Sequence, residues 1–224
     1  LDLGLIYCDI PCITAGVFTT SQVKAAPVVI DIERLKGGVA QAILVNSGCA
    51  NACTGEAGMQ NANLTSSMAA KALQIPDEMV QLASTGVIGE QLNLKAFAEN
   101  MDSLAAGLSQ GKFEMVAEAI MTTDTFQKVA ERAVVVGGKQ VQILGMAKGA
   151  GMVMPNMATM LAFILTDARI DFPVLQKTLT KTVDRTFNRI TIDGDTSTND
   201  MVLVMASGAA GNAAIDGTSG DDQQ

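Results

Sequence analysis

The spacing of apolar residues divides the chain into predicted strands and helices. Alternating or continuous short apolar runs predict strands at residues 1–10, 13–19, 28–32, 41–45, 129–136, 140–146, 160–165 and 201–209. Apolar residues at helical spacing predict helices at residues 61–73, 94–108, 113–121 and 173–185. The two elements alternate irregularly, and Gly137-Gly138 predicts a hairpin between two of the strands. This order favours an α+β layered sandwich of mixed β-sheets and helices over a doubly wound parallel sheet.

Composition narrows the classes of protein that fit this pattern. Apolar residues make up 48% of the 224 residues and charged residues 17%, as expected of a folded chain with a sizeable core. The net charge of -8 argues against nucleic acid or an anionic membrane as partner. The chain shows neither a membrane-length apolar run nor a signal-peptide pattern, so we expect a cytoplasmic protein.

The chain contains no histidine. Histidine is the commonest general base and the commonest metal ligand, so both roles must fall to other groups. Any catalysis must therefore use a carboxylate, a lysine, a thiol, a hydroxyl or an α-amine.

Four cysteines form two pairs, Cys8 with Cys12 and Cys49 with Cys53. Four thiolates could hold zinc, which leaves a zinc-stabilised assembly module as a non-enzymatic alternative. Cys8 and Cys12, however, flank Pro11 in apolar, strand-like sequence. We expect buried free thiols in a reducing compartment and no bound metal.

One segment suggests how catalysis could proceed without histidine. A proline-containing loop runs through Ala158 into Thr159, and a buried strand is predicted to begin at once. A backbone break before Thr159 would leave a threonine α-amine, whose pKa of about 7.7–8 suits a base for the neighbouring hydroxyl. Spacing alone still favours an ordinary strand threonine.

The segment 149–161 resembles the processing site of the ornithine acetyltransferase (glutamate N-acetyltransferase) family, whose members cleave themselves between this alanine and this threonine. The resemblance covers nearly the whole chain. Further matching stretches are residues 15–20, 23–27, 45–48, 50–55, 84–89 and 187–200.

The resemblance implies an acetyl transfer from N2-acetyl-L-ornithine to L-glutamate in arginine biosynthesis, through an acetyl-threonine intermediate and without a cofactor. Some members of the family also accept acetyl-CoA. Thr159 would be the nucleophile, with its freed α-amine as base. Thr85 and Gly86 would form the oxyanion hole. Thr122, Lys148 and Thr159 would bind substrate, with the Lys148 ammonium meeting an α-carboxylate.

Each of these residues also has a simpler interpretation. Residues 84–89 could be a plain tight turn, and Lys148 a solvated lysine in the loop before the cleavage site. Thr122 could end a helix, and the neighbouring Thr123 leaves the register open. For the polar run Asp193–Asp200, a structural hydrogen-bonding turn is favoured and no acid receives a role.

The resemblance also implies an organisation into two processed parts. Residues 1–158 would be most of an α-chain and residues 159–224 the start of a β-chain, and family members extend beyond both ends. The halves would stay associated and pair into a heterotetramer of two of each. The fold would be of the N-terminal-nucleophile type shared with aminopeptidases. The remaining alternatives are an aminopeptidase or amidohydrolase that delivers the acyl group to water, and an inactive truncated member.

Overall fold

A computed structural model describes residues 2–151, 160–192 and 196–218. The described strands are β1 (Leu3–Phe18), β2 (Val39–Asn46), β3 (Val80–Ser84), β4 (Lys128–Val136), β5 (Lys139–Lys148), β6 (Leu161–Thr166) and β7 (Met201–Ala206). The described α-helices are α1 (Ala26–Arg34), α2 (Gly55–Leu73), α3 (Leu94–Ala106), α4 (Phe113–Ala119) and α5 (Phe172–Arg185). Short 3₁₀ turns lie at Leu35–Gly37, Asp77–Met79 and Phe187–Arg189.

The strands join in the order β3-β2-β1-β7-β6-β5-β4. Two pairs are parallel, β2 with β3 and β6 with β7, and the other four are antiparallel. The sheet is therefore mixed.

Strand β1 changes partner along its length. Its pairing with β2 shifts register between Tyr7 and Cys12, and the residues from Ile13 onward pair with β7. Pro11 lies in this irregularity and has no backbone N–H to donate, which suits a bulge. The two strands predicted at 1–10 and 13–19 are thus one strand, bent where a break was expected.

The two halves of the sheet face each other across the largest buried cluster. This cluster combines Ile43 of β2 and Ala83 of β3 with Met146, Phe163 and Leu203 from β5, β6 and β7. All five side chains are at most 2% exposed.

Helices cover the outer faces of both halves. Helices α2 and α3 pack on β2 and β3 through a second cluster that includes Ala69 and Phe97. Helix α5 packs mainly on β1, and its Leu179 and Val183 belong to a third cluster that also includes Val204 of β7. Because Leu203 and Val204 alternate between the two sides, β7 is buried on both faces. The predicted α+β layered sandwich is confirmed.

A further predicted strand has a different secondary structure, and one observed strand has no predicted counterpart. The strand predicted at 28–32 is helix α1, which has Pro27 in its first turn, where proline is tolerated. Strand β3 was not predicted. The predicted hairpin is present, with Gly137 at φ +54° and Gly138 at φ +77°. Within the described ranges, no helix combines the length and apolarity needed to cross a membrane.

Candidate functional site

A buried lysine lies at the centre of the candidate site. Lys148 is the last residue of β5 and is 2% exposed. Its Nζ donates hydrogen bonds to Thr85 Oγ1 at 2.5 Å and to Thr122 Oγ1 at 3.1 Å. The interpretation of Lys148 as a solvated loop lysine is therefore wrong, and the contact favours Thr122 over Thr123.

The fold brings these three residues together from distant elements. Thr85 follows β3 in one half of the sheet, Lys148 ends β5 in the other half, and Thr122 follows α4. Four strands separate β3 from β5 in the sheet order, so the contact depends on the two halves facing each other.

The turn at Thr85 and Gly86 requires a glycine. Gly86 has φ +130°, and a Cβ at this position would lie 2.3 Å from the carbonyl carbon of Gly48. The Thr85 N–H donates to the Asn46 carbonyl at 3.0 Å. The backbone amide of Thr85 is thus occupied, and its side-chain hydroxyl is the group that faces Lys148.

Two buried carboxylates border the same site. Asp124 Oδ1 accepts a hydrogen bond from the Gly149 N–H at 2.9 Å and also pairs with the Lys128 ammonium. Asp200 Oδ1 accepts one from the Met160 N–H at 2.8 Å, and Asp200 is fully buried. The sequence analysis singled out no role for either acid.

For Lys148, Asp124 and Asp200, burial shifts the pKa towards the neutral form, whereas neighbouring opposite charges shift it towards the charged form. Burial lowers the pKa of Lys148 to about 8, although the Asp124 and Asp200 carboxylates oppose that shift. Burial raises the pKa of Asp200 to about 7, opposed by the Met160 N–H and the Lys148 charge. Burial would also raise the pKa of Asp124, but its hydrogen bonds with Lys128 and the Gly149 N–H lower it overall.

The predicted cleavage site, Ala158 and Thr159, lies outside the described residues. The described residues on either side of the cleavage site nevertheless lie next to each other in the sheet, at the end of β5 and the start of β6. Lys148 is the register partner of Leu161, and Leu161 is the partner of Met201.

The cysteines differ from one another in exposure. Cys12 is buried, and burial raises the pKa of its thiol. Cys8 and Cys49 are partly buried, whereas Cys53 is exposed. The buried-thiol interpretation thus holds for Cys12 and is wrong for Cys53. In the described part of the chain, no three Cys, Asp or Glu side chains are grouped closely enough to hold a metal ion.

Together, the facing half-sheets, the outer helices and the buried lysine and threonines define an α+β layered sandwich with a polar site between its two halves. The ArgJ family profile matches residues 1–223. The chain belongs to the ArgJ family.

Individual relatives agree with this assignment. The chain is 63% identical over 215 residues to the arginine biosynthesis bifunctional protein ArgJ of Desulfotalea psychrophila, covering 96% of this chain and 55% of the relative. It is 52% identical over 217 residues to the ArgJ protein of Thermotoga neapolitana, covering 96% and 54%. The chain thus spans about half the length of the curated relatives it matches.

Solved structures give the same result. The ArgJ protein of Bacillus halodurans superposes with a TM-score of 0.66 at 40% identity, over 70% of this chain and 83% of that one. Ornithine acetyltransferase of Mycobacterium tuberculosis, solved with ornithine, gives a TM-score of 0.60 at 32% identity, over 69% and 83%. A β-aminopeptidase of a Burkholderia species has a TM-score of 0.51 at 12% identity, over 93% of this chain and 66% of that one, a likeness of fold alone.

Proposed function

We propose that the protein is the self-processing acetyltransferase of arginine biosynthesis, which transfers acetyl from N2-acetyl-L-ornithine to L-glutamate. The observation that carries the proposal is the buried Lys148 ammonium, which lies at the end of β5 just before the 152–159 segment and bonds to the hydroxyls of Thr85 and Thr122. Relatives at up to 63% identity among those compared are named as bifunctional proteins of arginine biosynthesis. The Mycobacterium relative was solved with ornithine bound.

Lys148 suits the binding of an amino-acid carboxylate. An ammonium has three N–H donors, and two of them are used by Thr85 and Thr122. The third has no hydrogen-bond partner among the described residues, and we assign it to a substrate carboxylate. A charge-assisted hydrogen bond in a buried site is stronger than one in water. Both N-acetylornithine and glutamate carry an α-carboxylate, so one lysine can serve both half-reactions.

Thr85 and Gly86 suit the stabilisation of an oxyanion. Thr85 Oγ1 accepts from Lys148, so its own O–H remains free to donate, and the ammonium polarises it towards donation. We assign the oxyanion hole to this hydroxyl and to the backbone N–H of Gly86.

The chemistry proceeds in three steps. Thr159 Oγ first attacks the Ala158 carbonyl, and the Ala158–Thr159 C–N bond breaks, which frees the threonine α-amine and leaves an ester. Water then hydrolyses this ester and releases the Ala158 carboxylate and the Thr159 hydroxyl. Thr159 Oγ then attacks the acetyl carbonyl of N-acetylornithine, the amide C–N bond breaks, and ornithine leaves with the proton held by the α-amine. The glutamate amine finally attacks the acetyl ester and restores the Thr159 hydroxyl.

The same proposal covers the cofactor, the acetyl donor, the assembly and the localisation of the protein. The acetyl group is carried on threonine, so no cofactor is required, and acetyl-CoA is an alternative donor through the same ester. The two processed parts stay together and pair into a heterotetramer in the cytoplasm.

The test uses the full-length protein, its Thr159→Ala variant, and acetyl transfer assayed with and without glutamate. We expect cleavage of the wild type between Ala158 and Thr159, an uncut variant, and N-acetylglutamate formed only when glutamate is supplied. An uncut wild type that is still active would overturn the self-processing mechanism. Acetate release that ignores glutamate would indicate a hydrolase.

A further inference from the structure

Two buried carboxylates hold the backbone on either side of the 152–159 segment. Asp124 Oδ1 accepts the N–H of Gly149, before the segment, at 2.9 Å. Asp200 Oδ1 accepts the N–H of Met160, immediately after it, at 2.8 Å. We call Asp124 and Asp200 the carboxylate pair.

The strand register places Gly149 and Met160, the two residues that the pair holds, near one another. Lys148, Leu161 and Met201 are partners across β5, β6 and β7. One residue beyond this row, the Met160 carbonyl also accepts the Met201 N–H at 3.1 Å. Met160 is thus held through both of its backbone polar groups.

Backbone anchoring alone does not account for carboxylates at these positions. Asp124 Oδ2 and Asp200 Oδ2 are both buried and have no hydrogen-bond partner among the described residues. An asparagine could accept the same N–H without a charge, and burying a charge is costly unless a counter-charge is near. The cations that face the pair in the described chain are Lys148, which acts on both, and Lys128, which pairs with Asp124.

We propose that Asp124 and Asp200 are positioning residues, which fix both flanks of the processing segment and hold Lys148 in its charged form. The inference deepens the proposed function and rests on it. Because Gly149 and Met160 are each held independently, a break between Ala158 and Thr159 leaves both flanks in register beside Lys148. Such fixation matters, since a misplacement of about 1 Å can cost on the order of 100-fold in rate.

Asp31 provides a matched control within the same chain. It is fully buried, its Oδ1 accepts the Leu82 N–H at 2.9 Å, and its Oδ2 likewise has no hydrogen-bond partner in the described ranges. Its neighbouring cation is Arg34 rather than Lys148. Substitution of Asp31 therefore tests the loss of a buried carboxylate without touching the site.

The experiment compares Asp124→Ala, Asp200→Ala, Asp200→Asn and Asp31→Ala in the full-length protein. We expect the two alanine variants of the pair to slow self-cleavage and lower kcat by about 10–100-fold. Asp200→Asn should restore most of the cleavage, because its amide oxygen still accepts the Met160 N–H. In Asp200→Asn, however, the KM for N-acetylornithine should begin to rise at a lower pH than in the wild type. The reason is that Lys148 loses its proton at a lower pH when the Asp200 charge is absent. Asp31→Ala should lower stability but leave cleavage and kcat of the folded protein unchanged.

Two NMR measurements report on the inference whether or not the protein transfers acetyl. Titration of the Lys148 Cε resonance should give a lower pKa in Asp200→Asn than in the wild type, and Met160 amide exchange should be faster only in Asp200→Ala. If the wild type had no acetyl-transfer activity, the proposed function would be wrong. The Lys148 titration and the Met160 amide exchange would still test the positioning role. Folded alanine variants with wild-type cleavage, or an unchanged Lys148 titration in Asp200→Asn, would overturn the inference.

Discussion

Lys148 is buried, and within the described ranges two of its three N–H donors bond to threonine hydroxyls. Burial lowers its pKa to about 8, so most molecules still carry the ammonium at neutral pH. Removal of an ammonium from water is tolerable here because two hydroxyls and two carboxylates surround it. The site is therefore poised to bind a carboxylate and to lose that ability as pH rises above about 8.

Lys148→Met should raise KM for both N-acetylornithine and glutamate by about 10–100-fold, since a hydrogen bond to a charged group contributes about 1.5–3 kcal/mol. The measurement is steady-state kinetics on the cleaved protein. Lys177→Met, on the exposed side of α5, is the matched control and should leave both constants unchanged. Equal KM values in the two variants would contradict the binding role.

Thr85→Ala should lower kcat by about 100–1000-fold with little change in KM, because the hydroxyl acts on charge that develops only in the transition state. Thr85→Ser retains the hydroxyl and should recover most of the rate. If folded, cleaved Thr85→Ala keeps the wild-type kcat, the turn is merely structural.

Asp200 should give stability a characteristic pH dependence. Its pKa is about 7 in the folded protein against an ordinary 3.8, so the folded state binds the extra proton between these values. Its contribution is present below about pH 4 and is lost as pH rises through 7, with about 1.4 kcal/mol per pKa unit. The Asp200→Asn variant has no carboxyl group to titrate at this position and therefore does not lose this stability. The free energy of unfolding of the variant minus that of the wild type should be larger at pH 8 than at pH 4. Urea unfolding at the two pH values checks this, and a constant difference would count against it.

At the scale of elements, the periodicity of the chain predicted most helices and strands but not those governed by tertiary contacts. Residues 28–32 form a β-branched run that favours a strand. They are helical because Pro27 begins a helix and Asp31 reaches across to the β3 backbone. Strand β3 is short and includes Gln81, a fully buried polar residue that breaks the apolar pattern.

The candidate site was only partly predictable for the same reason. The resemblance named Lys148, Thr85 and Thr122, but the contact between Lys148 and Thr85 joins residues 63 apart in sequence, which no local pattern encodes. Asp124 and Asp200 lie in polar stretches that favour exposed turns. Their burial becomes visible only once the half-sheets face each other.

For the whole molecule, the sheet order explains how two processed halves would remain associated. Residues 1–158 contribute β1 to β5, and residues 159–224 contribute β6 and β7. Strands β7 and β6 lie between β1 and β5, so each half is hydrogen-bonded to the other along two strand edges.

The two pieces of the cleaved full-length protein should therefore elute together in gel filtration and separate only in denaturant. Buried strands exchange their amides by global unfolding, so the β6 and β7 amides should be among the slowest to exchange after cleavage. Spontaneous separation of the pieces under native conditions would contradict this sheet arrangement.

Trapping of the acetyl group on Thr159 tests the central claim most directly. The cleaved full-length protein is incubated with N-acetylornithine in the absence of glutamate, digested and analysed by mass spectrometry. The account predicts that the peptide beginning at Thr159 gains one acetyl group on its side-chain oxygen and loses it when glutamate is added. Turnover at the wild-type rate with no acetyl on Thr159 would contradict the account.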